Sequence, residues 1–558
     1  MRAVVVAERD LAGRLEIAAP GGTAVAATDE RHGGPPYWWH AEVASAAAGE
    51  HAVRFVAPGL RLCATLAAHP APAPLAPAGY GAVWPVERRW SRELEDLYSA
   101  WIEKLFAAPL AEQPSWPALH DVLRDRARNF LHDHLGASED DEGGRAPRLD
   151  PDCADLPYFL RAYFSFKLRL PFGYSGCTRG GRQGPPHCTR FYSSLTANRG
   201  KERDPIRAFG AFARVTLADA THSGAVRTPG NDESGDFYPV ALSDRTLRPG
   251  TIFADPYGHI LVIARRVAQT PEASGVLLAV DGQPDGTVAR RRFWRGNFLF
   301  SDDPVHGGPG FKRFRPVVVE GRRARALGNS EIAASADWGD FSLEQYQLVV
   351  EGFYDRIEDI LSPTPTAAAR ALRETVQALE EQVRARVLSV QNGVDFVSRG
   401  GGRIDMPEGP GIFETVGPWE DFATPSRDMR LLIAIDVVRA FAARVERRPE
   451  RYAMPAGKSA AEVRAELEAL LAKETAARRF AYARSDGTKQ ELSLADLLAR
   501  APGLEMAYNP NDCAEVRWAA PAGSAELSTC RRRAPPEQRR LMERYRTWFA
   551  ERRRPPRE

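Results

Sequence analysis

Short apolar stretches (Val4 to Val6, Leu15 to Ile17, His40 to Val43 and Ala52 to Val56) alternate with Gly and Pro clusters along residues 1–68. That spacing predicts a small β domain. Prolines at 70, 72, 74 and 77 then stiffen residues 69–85, which predicts a linker and a domain boundary. From Ser91 the period changes: Leu94, Leu97, Tyr98, Trp101 and Leu105 share one face of a helix, and Leu119, Val122, Leu123 and Phe130 mark a second. Glu139 to Gly144 reads as an acidic loop. Between 150 and 300 one helix is followed by strand-like runs at Phe209 to Leu217, Thr251 to Ala254, His259 to Ala264 and Val276 to Val280. After Trp338 the pattern is helical again. Ser342 and Gln345 form a capping box ahead of Tyr346, Val349, Val350, Phe353 and Ile357, and a second helix carries Leu372, Val376, Leu379, Val383 and Val387. Further helices are predicted over Ser426 to Val445 and Ser459 to Thr475, with a hairpin over Phe480 to Leu492 around Asp486-Gly487. Residues 337–558 are therefore mostly α-helical.

The chemistry concentrates in the middle. Pro151-Asp152-Cys153-Ala154-Asp155-Leu156 leads into an aromatic-rich helix ending near Leu170-Pro171-Phe172. Asp152 is a good N-cap, which places Cys153 at the first helical position. There the helix dipole and unpaired N–H groups stabilise a thiolate and face an oxyanion formed beside it. About a hundred residues on, Leu247-Arg248-Pro249-Gly250-Thr251 forms a turn before a short strand, and Asp255-Pro256-Tyr257-Gly258 forms a second turn before His259 opens a buried strand. The next strand runs into Asp281-Gly282-Gln283. Asp281, or alternatively Gln283, is positioned to orient the imidazole, the carboxylate being the stronger choice because it also stabilises an imidazolium.

This order and these strings resemble the NlpC-type papain-like cysteine peptidases. In that family an Asp-Cys pair opens a helix, a Leu-x-Pro-Gly-Asp turn precedes a strand, and a Gly-His strand carries the base. Here Asp155 stands where the family has Gly, and Thr251 where it has Asp. The resemblance implies an α+β, papain-like catalytic domain at 86–330, with the small β domain before it and the helical region after it. It also implies a thiol hydrolase that cleaves amide bonds of peptidoglycan peptides with Cys153 as nucleophile, His259 as base and no cofactor or metal. Because Cys153 and His259 are 106 residues apart, Gly173 to Asp244 contains an insertion. The same segment is similar to transglutaminase-like proteins, whose triad ends in a Val-Asp pair such as Val280-Asp281, so acyl transfer is an alternative. A non-catalytic envelope-binding protein on a degenerate domain is another.

Composition narrows the class without changing this picture. In 558 residues, Lys plus Arg is 75 and Asp plus Glu 73, a balance that argues against a nucleic-acid coat. Only seven of the basic residues are Lys, and this Arg bias is read as a mark of GC-rich coding. No run reaches the length of a membrane span, and Ala3 to Ala7 is too short for a secretory signal. The cysteines point elsewhere. Cys177 with Cys188 and Cys513 with Cys530 have the spacing of local disulfides, which leaves Cys63 and Cys153 free and favours the cell envelope or secretion over the cytoplasm. Zinc on Cys177, His187 and Cys188 ranks below a disulfide. The tail from Arg531 carries eleven Arg against four Glu, with Leu541, Tyr545, Trp548 and Phe549 at helical spacing, as a docking helix would.

Overall fold

The computed structural model describes residues 1–70, 75–143, 146–198, 202–414 and 417–557. Pro72 and Pro74 of the linker and Gly144 of the acidic loop lie outside them. The chain divides into two compact units, residues 1–293 with 300–361, and residues 294–299 with 362–558. The fold is mixed, with helices and antiparallel strands.

The first unit opens with seven strands, β1 (Arg2–Ala7), β2 (Arg14–Ala18), β3 (Ala24–Thr28), β4 (His32–Gly33), β5 (Tyr37–Glu42), β6 (Gly49–Ala57) and β7 (Leu60–Ala68). They form two antiparallel sheets, ordered β1-β5-β4 and β3-β2-β6-β7. Alternation along each strand turns Leu15, Ile17, Trp39, Val53 and Phe55 into one shared core. The expected boundary at 69–85 does not isolate these sheets, which belong to the same compact unit as the helices that follow. Trp38 shows why: it points out of the β core, and its Nε1 donates to Glu103 at 3.0 Å.

Helix α1 (Arg92–Leu105) starts at Ser91, whose hydroxyl accepts from the Leu94 N–H at 3.4 Å. Strand β8 (Ser115–Trp116) follows, and α2 (Leu119–Arg124) is shorter than its apolar spacing suggests, Phe130 falling in the turns beyond it. The acidic loop is divided, with Asp141 and Glu142 exposed and its first two carboxylates inside. Glu139 and Asp140 are buried and each accepts from Lys167 Nζ at 2.5 Å, a charge cluster that would be costly if any partner were missing.

Lys167 belongs to α3 (Asp155–Leu168), a helix buried along its whole length. Strands β9 (Gly173–Cys177) and β10 (Cys188–Ser193) pair as a hairpin. The principal sheet then collects β11 (Phe237–Pro239), β12 (Ile252–Ala254), β13 (Ile260–Val267), β14 (Val276–Gly282), β15 (Val288–Arg292) and β16 (Gly310–Phe314). With β8 it has seven antiparallel strands in the order β11-β16-β12-β13-β14-β15-β8. The unbroken apolar runs Ile260 to Ala264 and Leu277 to Val280 are buried on both faces, and α3 lies against β13 and β14.

One predicted strand is a helix. Phe209 to Leu217 lies in the helical segment from Pro205 to Ala220, which contains a π-helical turn over Phe212–Leu217. Asp204 decides this locally, accepting from the N–H groups of Ile206 and Arg207 ahead of a Pro at the first helical position. Gln345 is a second correction. It is fully buried and pairs with the Phe311 backbone in both directions at 2.9 Å instead of completing a capping box. The helices over Glu344–Gln347 and Val350–Leu361 accordingly belong to the first unit, so the helical C-terminal unit starts later than residue 337.

The second unit packs the helices Ala368–Ser398, Pro425–Arg439, Ala460–Ala477 and Pro536–Ala550 around one apolar core with the hairpin Arg479–Ala483 and Lys489–Ser493. The tail helix contributes Met542, Tyr545 and Phe549 to that core, and its arginines lie largely outside it.

Candidate active site

Asp152 organises the start of α3. Its Oδ1 accepts from the N–H of Ala154 at 2.7 Å and of Asp155 at 2.9 Å, and its carbonyl accepts from Leu156 at 3.1 Å. By hydrogen bonding, then, Asp152 is the cap and Cys153 the first residue of the helix, although regular helix begins at Asp155. Of the donors at this end, Cys153 N–H alone makes no hydrogen bond among the described residues.

The turn holding Cys153 lies against the end of β14 because residue 282 is glycine. A Cβ there would sit 2.4 Å from the Asp152 carbonyl oxygen. On the neighbouring strand the Asp255–Gly258 turn delivers His259: Asp255 Oδ1 accepts from Tyr257, its N–H donates to the His259 carbonyl at 2.8 Å, and Gly258 takes a φ of +99°. Cys153 Sγ rests 3.9 Å from the Gly258 carbonyl oxygen, and the Ile260 N–H also faces it. The thiol therefore sits against the backbone on both sides of His259.

Behind the imidazole, Nε2 is 2.9 Å from Asp281 Oδ2. Burial alone would raise the Asp281 carboxyl, but the Arg291 guanidinium, 3.4 Å from Oδ1, and the bond to His259 hold it below the usual carboxylate range. An ionised Asp281 fixes the tautomer with the proton on Nε2 and leaves Nδ1 as the base. Among the described residues no hydrogen bond joins the Gln283 side chain to His259, and the Gln283 backbone closes the β14–β15 turn by donating to the Thr287 carbonyl and accepting from Gly286. Asp281 thus meets the His259 imidazole, and Cys153 lies against the backbone on either side of His259.

The thiol departs from expectation. Its pKa is pushed up, first by burial and then by the carboxylate of Asp152, with Asp281 and Asp155 adding to the effect. The cap that defines the helix start consumes the N–H groups of Ala154 and Asp155 and brings its own negative charge, which adds to burial in disfavouring the thiolate. These influences hold the sulfur toward its neutral thiol form.

Cys177 and Cys188 are bridged, as are Cys513 and Cys530, with Cα separations of 3.9 and 5.6 Å. The first bridge closes the β9–β10 hairpin within the inserted segment, so Cys177 and Cys188 offer no thiolates to a metal. His222 of the same insertion has Nε2 2.9 Å from the Cys177 carbonyl, and a Cβ on Gly258 would come within 2.9 Å of Ser223 Oγ. The insertion therefore lies beside the turn that carries His259. Cys63 is exposed on β7, far in sequence from this chemistry.

No family model, curated protein or solved structure matches this chain. The site rests on its own geometry. Two of its residues went unrecognised in the sequence, Arg291 and Thr221, whose Oγ1 lies 2.8 Å from Asp155 Oδ1. Arg291 sits in the run Arg290-Arg291-Arg292, which Arg-rich coding disguises, yet its position across the β14–β15 hairpin from the strand carrying Asp281 was a usable signal.

Proposed function

We propose that this chain is a thiol hydrolase of the papain-like, NlpC-related kind that cleaves amide bonds in peptidoglycan peptides. The observation that carries the reading is the His259–Asp281 pair, 2.9 Å apart, set beside a cysteine at the capped start of a buried helix. His259 Nδ1 removes the Cys153 proton as Sγ attacks the amide carbonyl carbon. The Cys153 N–H supports the oxyanion, and His259 returns the proton to the leaving amine as the carbon–nitrogen bond breaks. Water, deprotonated by the same nitrogen, then hydrolyses the thioester and frees the thiol.

The peptidoglycan assignment draws on the motif resemblance, and the two disulfides favour an oxidising compartment, the cell envelope or the medium. That no helix among the described residues is long and apolar enough to cross a membrane is compatible with either. Engagement of Asp281, which follows Val280, also favours a second reading as a transglutaminase-like acyl transferase. Mass spectrometry of purified peptidoglycan digested with the wild type and with Cys153→Ala tests the proposal, and a labelled primary amine in the same digest separates transfer from hydrolysis. New stem-peptide termini that depend on Cys153 support it. An intact substrate with both proteins overturns it.

A further inference from the structure

Asp155 lies two residues from Cys153, in the first turn of the same helix, and is nearly buried at 8 % exposure. One face of its carboxyl receives the Asp152 backbone N–H, the reciprocal half of a capping box. Its Oδ1 is 2.8 Å from Thr221 Oγ1, and Thr221 Oγ1 is also 2.9 Å from the Leu217 carbonyl oxygen. A threonine hydroxyl has one proton. If Thr221 gives it to Asp155, the hydroxyl faces the Leu217 carbonyl across 2.9 Å with no hydrogen between two lone-pair oxygens. If it gives it to Leu217, an ionised Asp155 faces the hydroxyl in the same way. Both contacts become full, unshared hydrogen bonds at once when the carboxyl brings its own proton, Asp155 Oδ1–H donating to Thr221 and Thr221 donating to Leu217; with an ionised carboxyl the single Thr221 proton must serve both oxygens.

The geometry points to Asp155 as a carboxylic acid held protonated near neutral pH, a positioning residue that keeps one negative charge away from the Cys153 nucleophile until the pH rises. Burial, and then the carboxylate of Asp152, raise its pKa to about 7, and Thr221 is the largest opposing influence. The titratable and charged groups around it are Asp152 on the turn before α3 and Asp219 at the end of the π-containing helix. His222 follows Thr221 in sequence. Its Nδ1 accepts from Gly224 N–H at 3.1 Å, and its Nε2 is 2.9 Å from the Cys177 carbonyl. Across the site stand Cys153, Asp281 and His259. The assignment of Cys153 as nucleophile rests on the proposed hydrolase reading; the protonation of Asp155 does not.

The test uses the full chain carrying Cys63→Ser, so that Cys153 is the one free thiol. Iodoacetamide alkylation of Cys153 is followed from pH 5 to 9 in this protein and with Asp155→Asn, an isosteric neutral stand-in. The two rates should agree below about pH 6. Above about pH 8 the Asn protein should react about tenfold faster, the equivalent of one pKa unit in the thiol. In parallel, carbon-13 NMR of aspartate-labelled protein should show a carboxyl resonance with a midpoint near 7 that disappears in Asp155→Asn. Should that variant fail to fold, the resonance is assigned by its displacement in Thr221→Ser. Superimposable alkylation profiles, or an Asp155 midpoint below about 5, overturn the proposal. Neither readout requires turnover: an Asp155 that titrates near 7 in a protein that cleaves nothing sinks the hydrolase reading alone, and an active protein with an acidic Asp155 sinks this one alone.

Discussion

Gly282→Ala probes the contact that brings the Cys153 turn to the sheet carrying His259 and Asp281. The added Cβ would lie 2.4 Å from the Asp152 carbonyl oxygen, 2.7 Å from its carbon and 2.8 Å from the Pro151 carbonyl oxygen. All three are backbone atoms, so no rotamer change relieves the clash. To regain ordinary contact near 3.4 Å, the turn or the end of β14 must retreat by about 1 Å. Overpacking of this kind costs about 1–3 kcal/mol, which lowers the melting temperature by several degrees at most. Function should suffer more, because a displacement of about 1 Å between nucleophile and base costs on the order of a hundredfold in rate. Gly79→Ala is the control: a Cβ there meets no atom within 4 Å. The assay is thermal unfolding followed by the rate of stem-peptide release. If Gly282→Ala melts with the wild type and retains its rate, the close approach of Asp152 to β14 does not set the site and the reasoning fails.

Three further outcomes follow from the same structure. Asp281→Asn should reduce the hydrolysis rate by about a hundredfold or more, since the amide cannot stabilise the imidazolium, whereas Gln283→Ala should stay within about threefold; equal effects would contradict the assignment. Replacing Cys177 and Cys188 by Ser opens an 11-residue separation and should cost roughly 3 kcal/mol, read as a fall in melting temperature that reductant reproduces in the wild type. The raised Asp155 gives a signed pH dependence. Between about 4 and 7 the folded chain holds a proton that the unfolded chain has lost, so this group's contribution to stability falls as pH rises, by about 4 kcal/mol at most, and stays lost above 7. The stability of Asp155→Asn relative to wild type should therefore grow across that window; a flat difference would refute it.

Where local chemistry and the hydrophobic period agreed, the sequence was readable. Asp152 announced the helix start, Gly258 the turn before His259, and the apolar run Val276 to Val280 the strand that carries Asp281. The misreadings came from tertiary contacts with no local trace. Nothing in the acidic loop's own residues shows that Glu139 and Asp140 are buried against Lys167, 28 and 27 residues on. Gln345 looks like a cap until Phe311 claims it, and the β-branched residues of Phe209 to Leu217 look like a strand although Asp204-Pro205 has already committed the chain to a helix. The thiol's environment was hidden for a similar reason. A helix start suggests a lowered pKa, but what surrounds the half-buried Cys153 and how near Asp281 lies are set by strands more than a hundred residues away.

The central claim is that Cys153 Sγ forms a covalent bond with the substrate's acyl group. Intact-protein and peptide mass spectrometry on acid-quenched mixtures of the chain with soluble peptidoglycan fragments tests it directly. The account predicts a thioester adduct on the peptide containing Cys153, absent in Cys153→Ala and accumulating when water attack is slowed. Undiminished cleavage by Cys153→Ala, or an adduct on any other residue, would contradict it.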